Sequence, residues 1–145
     1  MAGVFCQEGT IVSGAMFLNQ SSVDRGTSLK IGLFTNSSGL SSTTTYASII
    51  QALFTGYAEQ TIVDANWTET ASGGVATWVN SGAPFTFTCS GATVGSNPAV
   101  FGYYIRTTGT TPRLIGYEID SGLGGSGAVF VSGNSYAITP SIPVS

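Results

Sequence analysis

Histidine is absent from the 145 residues, and charge of either sign is scarce: four Lys and Arg and seven Asp and Glu make up 8% of the chain, against roughly 25% in an average soluble domain. Without histidine there is no Ser-His-Asp or Cys-His nucleophile system, and the commonest general base and metal ligand are missing. Four cations under a net charge of -3 cannot neutralise a phosphate backbone or hold a polybasic segment to an anionic bilayer. Neither nucleic acid nor membrane is therefore expected as a partner. No apolar run approaches the roughly 20 residues of a membrane span. The N-terminus "MAGVFCQEGTIVSGAMFLNQ" has no basic stretch ahead of its apolar residues, so no signal peptide is expected. Cys6 and Cys89 are too few for a disulfide framework or a zinc site. Cys89 continues the alternation Phe85, Phe87, Cys89 and reads as a small inward-facing hydrophobe, with a Cys6–Cys89 bridge as the alternative. No cofactor is expected.

What replaces charge is Ser, Thr, Asn and Gly around a 42% apolar composition, enough for one domain with a hydrophobic core. Such a surface suits close contact in a large assembly, where few charges need desolvating; a secreted surface protein would share it. Residues 1–22 read as an N-terminal arm, in which Phe5, Ile11, Val12 and Met16 make a weak helical face interrupted by Gly9 and Gly14. Residues 23–145 read as a single β-sandwich domain. Strands are expected at "LKIGLF" and then at Thr61–Thr68, Val75–Val79, Phe85–Cys89, Ala99–Arg106, Arg113–Ile119, Ala128–Val131 and Tyr136–Ile142. "FGYYIRTTGTTPRLIGYEI" has the form of a β-hairpin, with Pro112 just before the returning strand. In "SIIQALFTGYAEQ" the spacing of Tyr46, Ile49, Ile50, Leu53 and Phe54 predicts one short helix, capped by a hydroxyl from Thr43 to Thr45 and stopped at Gly56. The expected class is all-β: a jelly-roll-like antiparallel β-sandwich with one short α-helix and an N-terminal arm.

Little in the chain points to catalysis. A glycosidase needs only two carboxylates, so Asp64, Glu69, Glu118 and Asp120 are the candidates. Asp64 and Glu69 flank Trp67 in "DANWTE", where a strand aromatic with acids on its solvated ends is the simpler reading. "GLGGSG", residues 122–127, satisfies the dinucleotide spacing, but a strand and turn follow it where a helix is required. Asn19, Asn36 and Asn66 open N-x-Ser/Thr triplets, as a Ser/Thr-rich chain does by chance. The aromatics Tyr46, Tyr57, Trp67, Trp78, Tyr103, Tyr104, Tyr117 and Tyr136 can stack on sugars or anchor an interface. Neighbours such as Tyr103 and Tyr104 must point to opposite faces of a strand, so about half of these rings belong to the core.

Taken in order, "GYA", "NWT", "FTFT", "FGYYIR", "RLIGYEI" and "YAITPSI" give the chain a resemblance, from Leu29 to Ile142, to small virion structural proteins of tailed bacteriophages, including cyanophage-type capsid cement, or decoration, proteins. The resemblance implies a jelly-roll-like homotrimer on the phage head surface, with the major capsid protein as partner and no enzymatic activity. It places capsid or subunit contacts on the arm, at Val4, Phe5, Ile11, Met16 and Phe17, so deletion of residues 1–22 is expected to leave the sandwich folded. The arm "FCQEGTIVSGAMF" matches the family loosely, and "TTGTTP" lacks its Asp/Gly hairpin turn. The competing expectation is a tail-fibre or receptor-binding module that reads glycans with the same sandwich.

Overall fold

The computed structural model describes residues 3–9, 26–63, 66–73, 75–91 and 97–144. Ten antiparallel strands carry the fold: β1 (Val4–Phe5), β2 (Leu29–Phe34), β3 (Gln60–Ile62), β4 (Trp67–Ser72), β5 (Val75–Asn80), β6 (Phe85–Thr88), β7 (Gly102–Thr107), β8 (Leu114–Ile119), β9 (Ser135–Ile138) and β10 (Ser141–Val144). The main sheet runs β1-β8-β7-β2-β3; β10-β5-β4 and β6-β9 form two smaller sheets. The result is an all-β sandwich.

Alternation decides what lies between the layers. Leu29, Ile31 and Leu33 of β2 and Tyr103 and Ile105 of β7 point to the front of the main sheet, where they meet Phe87, Cys89, Ile138 and Ile142 from the smaller sheets. The even-numbered residues of β2 and β7 point backwards, where Phe34 and Tyr104 are buried and pack with Tyr117 of β8 and with Cys6, Ile49 and Leu114. Tyr103 and Tyr104 thus serve opposite cores, as their adjacency requires. Both cysteines are buried and the Cys6–Cys89 bridge does not form: Cys6 lies behind the sheet and Cys89 in front. Burial, with the carboxylate of Glu8 nearby, pushes the Cys6 thiol up to about 12.

The hairpin β7–β8 forms where expected, with a bulge between Ile105 and Arg106 that lets Ile115 face front while Leu114 faces back. "YAITPSI" splits in two, because Pro140 is buried between β9 and β10 and has no N–H to give to a ladder. Of 128–131 only Ala128 forms a bridge, to Val100. The "GLGGSG" run is a 3-10 turn at Ser121–Leu123 followed by further turns, with no dinucleotide-type helix.

The short helix is present but elsewhere: residues 7–9 are helical, while "SIIQALFTGYAEQ" is not. Tyr46–Ser48 makes a single 3-10 turn whose N-cap, Thr45, gives no side-chain cap. The chain then runs extended, burying Ile49, Ala52 and Phe54 and exposing Ile50 and Leu53. The cause is the open edge of β2. β3 covers that edge only from Leu29 to Ile31. Beyond it, Thr35 N–H donates to Ile50 O at 2.8 Å and Ala52 N–H to Leu33 O at 3.0 Å. Satisfying buried backbone groups outweighs a five-residue helical pattern.

Tyr57 closes the remaining gap. Leu33 N–H donates to its hydroxyl at 2.9 Å, and the hydroxyl donates to Leu33 O at 3.3 Å, while its ring stacks on Phe87, 5.9 Å between centroids. Gly56, at φ 88°, supplies the turn that brings Tyr57 there.

Candidate functional site

Behind the main sheet the chain from 35 to 51 lies over β2 and β7 with a polar cluster at its centre. Arg106 alternates with Tyr104 on the back of β7 and needs a counter-charge at this depth. Glu59, just after the "GYA" corner, supplies it: Arg106 Nε donates to Glu59 Oε1 at 2.7 Å, and Nη2 pairs with Oε2. Tyr104 Oη adds a hydrogen bond to Oε1 at 2.6 Å. The guanidinium also sits over the Tyr46 ring, 5.0 Å from its centroid. Burial alone would raise the Glu59 pKa, but the hydrogen bonds from Arg106 and Tyr104 and the charges of Arg106 and Lys30 more than reverse it, leaving it below the ordinary value. Tyr104 is pushed far up, first by burial and then by Tyr57 and Glu59. This sealed arrangement fixes structure, because each member's polar atoms are taken by another. Sequence reasoning did not find it; the available signal was one arginine inside an apolar strand.

The other acids are occupied in the same way. Glu8 accepts from Tyr46 N–H at 2.9 Å and Leu114 N–H at 2.7 Å, with Arg113 Nη1 at 3.9 Å. Glu118 accepts from the Tyr103 hydroxyl at 2.7 Å. Asp120 accepts from the Tyr136 hydroxyl and from Gly122 N–H. Burial, reinforced by these carboxylates, drives both tyrosines well above the ordinary phenol value. Of the glycosidase candidates, Asp64 lies outside the described residues, Glu118 and Asp120 are held by tyrosines, and Glu69 stands alone on β4. No group of three His, Cys, Asp or Glu gathers as metal ligands among the described residues, and no helix among them is long and apolar enough to cross a membrane.

A shallow cavity of about 180 Å³ opens between Leu123, Val129, Phe130, Asn134 and Tyr136. Phe130, which lines it, stacks on Phe54, 4.9 Å between centroids.

The expected contact residues on the arm divide. Val4 and Phe5 form β1, paired with Tyr117 and Gly116 of β8. Both are half-buried, Val4 against the rear core and Phe5 against the front one. Gly3 N–H continues the ladder to Ser141 O at 3.2 Å. Ile11, Met16 and Phe17 lie outside the described residues. The start of the arm is thus part of the sandwich, and deletion of residues 1–22 would remove a strand, Cys6 and the Glu8 anchor. The boundary expected at residue 22 therefore does not separate residues 3–9 from the sandwich.

The exterior formed by the described residues is nearly free of charge; Asp24, Arg25 and Asp64 lie outside them. Glu8, Lys30, Glu59, Arg106, Arg113, Glu118 and Asp120 are all partly buried and engaged in internal contacts; among the described residues only Glu69 carries an exposed charge. Exposed apolar side chains are Ile50, Leu53, Val63, Trp78, Ile119, Val129 and Val131. No protein-family model, curated protein or solved structure matches the chain.

Proposed function

We propose that this chain is a virion structural protein of the capsid-cement class, which binds the assembled phage head and stabilises it. The observation that carries the reading is the inward-turned charge. A surface of hydroxyls, amides and scattered aliphatic groups can be covered by neighbouring subunits without desolvating ions. Binding preferentially to the assembled shell shifts the equilibrium towards that shell by the binding free energy. A homotrimer contacting several major capsid subunits multiplies weak contacts into lasting attachment.

Copy number in purified particles tests it: a cement protein approaches the abundance of the major capsid protein. A few copies per particle, or a location on the tail, would instead support the receptor-binding reading, which the exposed Trp78 ring favours. The contact surface is tested by replacing Ile11, Met16 and Phe17 with Ser while keeping β1. Attachment to empty heads should fall while the thermal transition is retained. Undiminished attachment would remove the arm from the interface.

A further inference from the structure

The β10-β5-β4 sheet extends past the core it helps to cover. Trp67, Asn80 and Ile142 lie on its inner face and are buried or half-buried, but Glu69, Ala71 and Trp78, further along that face, are exposed. Register places Glu69 directly across from Trp78, and Trp78 across from the buried Ile142. Directly opposed residues on one face have Cβ atoms roughly 4.5–5.5 Å apart, so a carboxylate and an indole stand side by side at the rim of the core. Trp78 is 38% exposed. Glu69 has no hydrogen bond or ion pair among the described residues, and it is their one exposed charge.

The same chain shows what such a pair can hold. Behind the main sheet, the Arg106 guanidinium lies over the Tyr46 ring and forks onto the Glu59 carboxylate. Glu69 and Trp78 offer the same two partners, an aromatic face and a free carboxylate, with the cation missing. The geometry points to this pair as a docking site for an arginine side chain of a partner protein. A guanidinium satisfies both halves together, by stacking on the indole and donating two N–H groups to the carboxylate. The face is poorly made for a saccharide: around Trp78 it presents Ala71, Ala76 and Ile142, and its amide, Asn80, is buried and already donates to Ala83 O, so its exposed part lacks side-chain donors for sugar oxygens. Of this chain's cations, Lys30, Arg106 and Arg113 are engaged elsewhere and Arg25 lies outside the described residues; the occupant inferred is an arginine of another molecule.

The site is independent of the capsid reading and is tested without capsids. The chain has two tryptophans, so its indole N–H resonances are two, assigned with Trp78→Phe. Titration at constant ionic strength with N-acetylargininamide should shift the Trp78 resonance and leave that of Trp67 in place. N-acetyllysinamide should act more weakly, and Glu69→Gln should reduce the apparent affinity for arginine about fivefold or more. Both substitutions are at exposed positions, and an unchanged thermal transition verifies the fold. A Trp78 resonance indifferent to arginine, or an arginine shift undiminished in Glu69→Gln, would overturn the proposal. So would a shift produced by a neutral disaccharide and not by arginine, which would make the face a glycan platform.

Discussion

Replacing Tyr57 with Phe removes one oxygen atom and leaves a ring that stacks on Phe87 and meets Phe54 edge-on. The structure assigns that atom a particular task. Leu33 is 0% exposed, and its amide, pointing away from β7, donates to the Tyr57 hydroxyl. Leu33 O keeps its bond from Ala52 N–H, so the deficit is a single orphaned donor. A buried unsatisfied amide costs about 1–3 kcal/mol. At about 2–4 °C per kcal/mol for a chain of this size, the melting temperature should fall by roughly 2–12 °C. Urea titration should show a lower midpoint at unchanged slope, because the surface exposed on unfolding hardly differs. Amide hydrogen exchange supplies the local reading: the Leu33 N–H should lose protection while Ile31 and Ile105 keep theirs. An unchanged midpoint together with unchanged Leu33 exchange would refute the claim that the hydroxyl completes the edge of β2.

Stability should fall at both ends of the pH scale, for different groups. The folded Glu59 pKa lies below the ordinary glutamate value of 4.5, so its contribution is present above that value and is lost as pH falls through the folded pKa; Glu59→Gln should flatten this acid limb in a melting-temperature profile. Tyr103, Tyr104 and Tyr136 are raised from 10.0, so the fold should weaken progressively as pH rises above 10, where the unfolded phenols ionise first. Phenolate absorbance that appears before unfolding would contradict their assigned burial. Gly102→Ala should be the most damaging single methyl, since its Cβ would lie 1.9 Å from Glu118 O; it should part β7 from β8 and yield little soluble protein, whereas Gly39→Ala, with open space at its Cβ but φ 81°, should cost only its backbone strain.

The central strands were legible because each must alternate on a buried sheet: "LKIGLF", "FGYYIR" and "RLIGYEI" carry their register in their side chains. The strand expected at Thr61–Thr68 is two, β3 at Gln60–Ile62 and β4 at Trp67–Ser72: "WTETAS" has no apolar alternation and owes its place to the ladder with β5, and Val4–Phe5, read as arm, is too short to show a period. The misplaced helix is more instructive. Ile49, Ile50, Leu53 and Phe54 fit one helical face, but what governs them is the unpaired backbone of β2, a requirement invisible in local sequence. The Glu59–Arg106 pair was hidden likewise, since nothing local joins residues 47 positions apart. The outward surface was the opposite case: scarcity of charge is plain in the composition, but only the fold shows that the described charges other than Glu69 turn inward.

The rear of the main sheet is covered mainly by the stretch 35–51, which holds on through scattered contacts rather than a continuous ladder. The molecule therefore has a hard side and a soft side. Opening the front core means parting whole sheets, whereas displacing the rear stretch would break the single Phe34–Gln51 bridge and isolated hydrogen bonds, so faster amide exchange is expected of that stretch. Its release would bare Phe34, Tyr104 and Tyr117, an aromatic surface hidden in the free chain, without unfolding the sandwich.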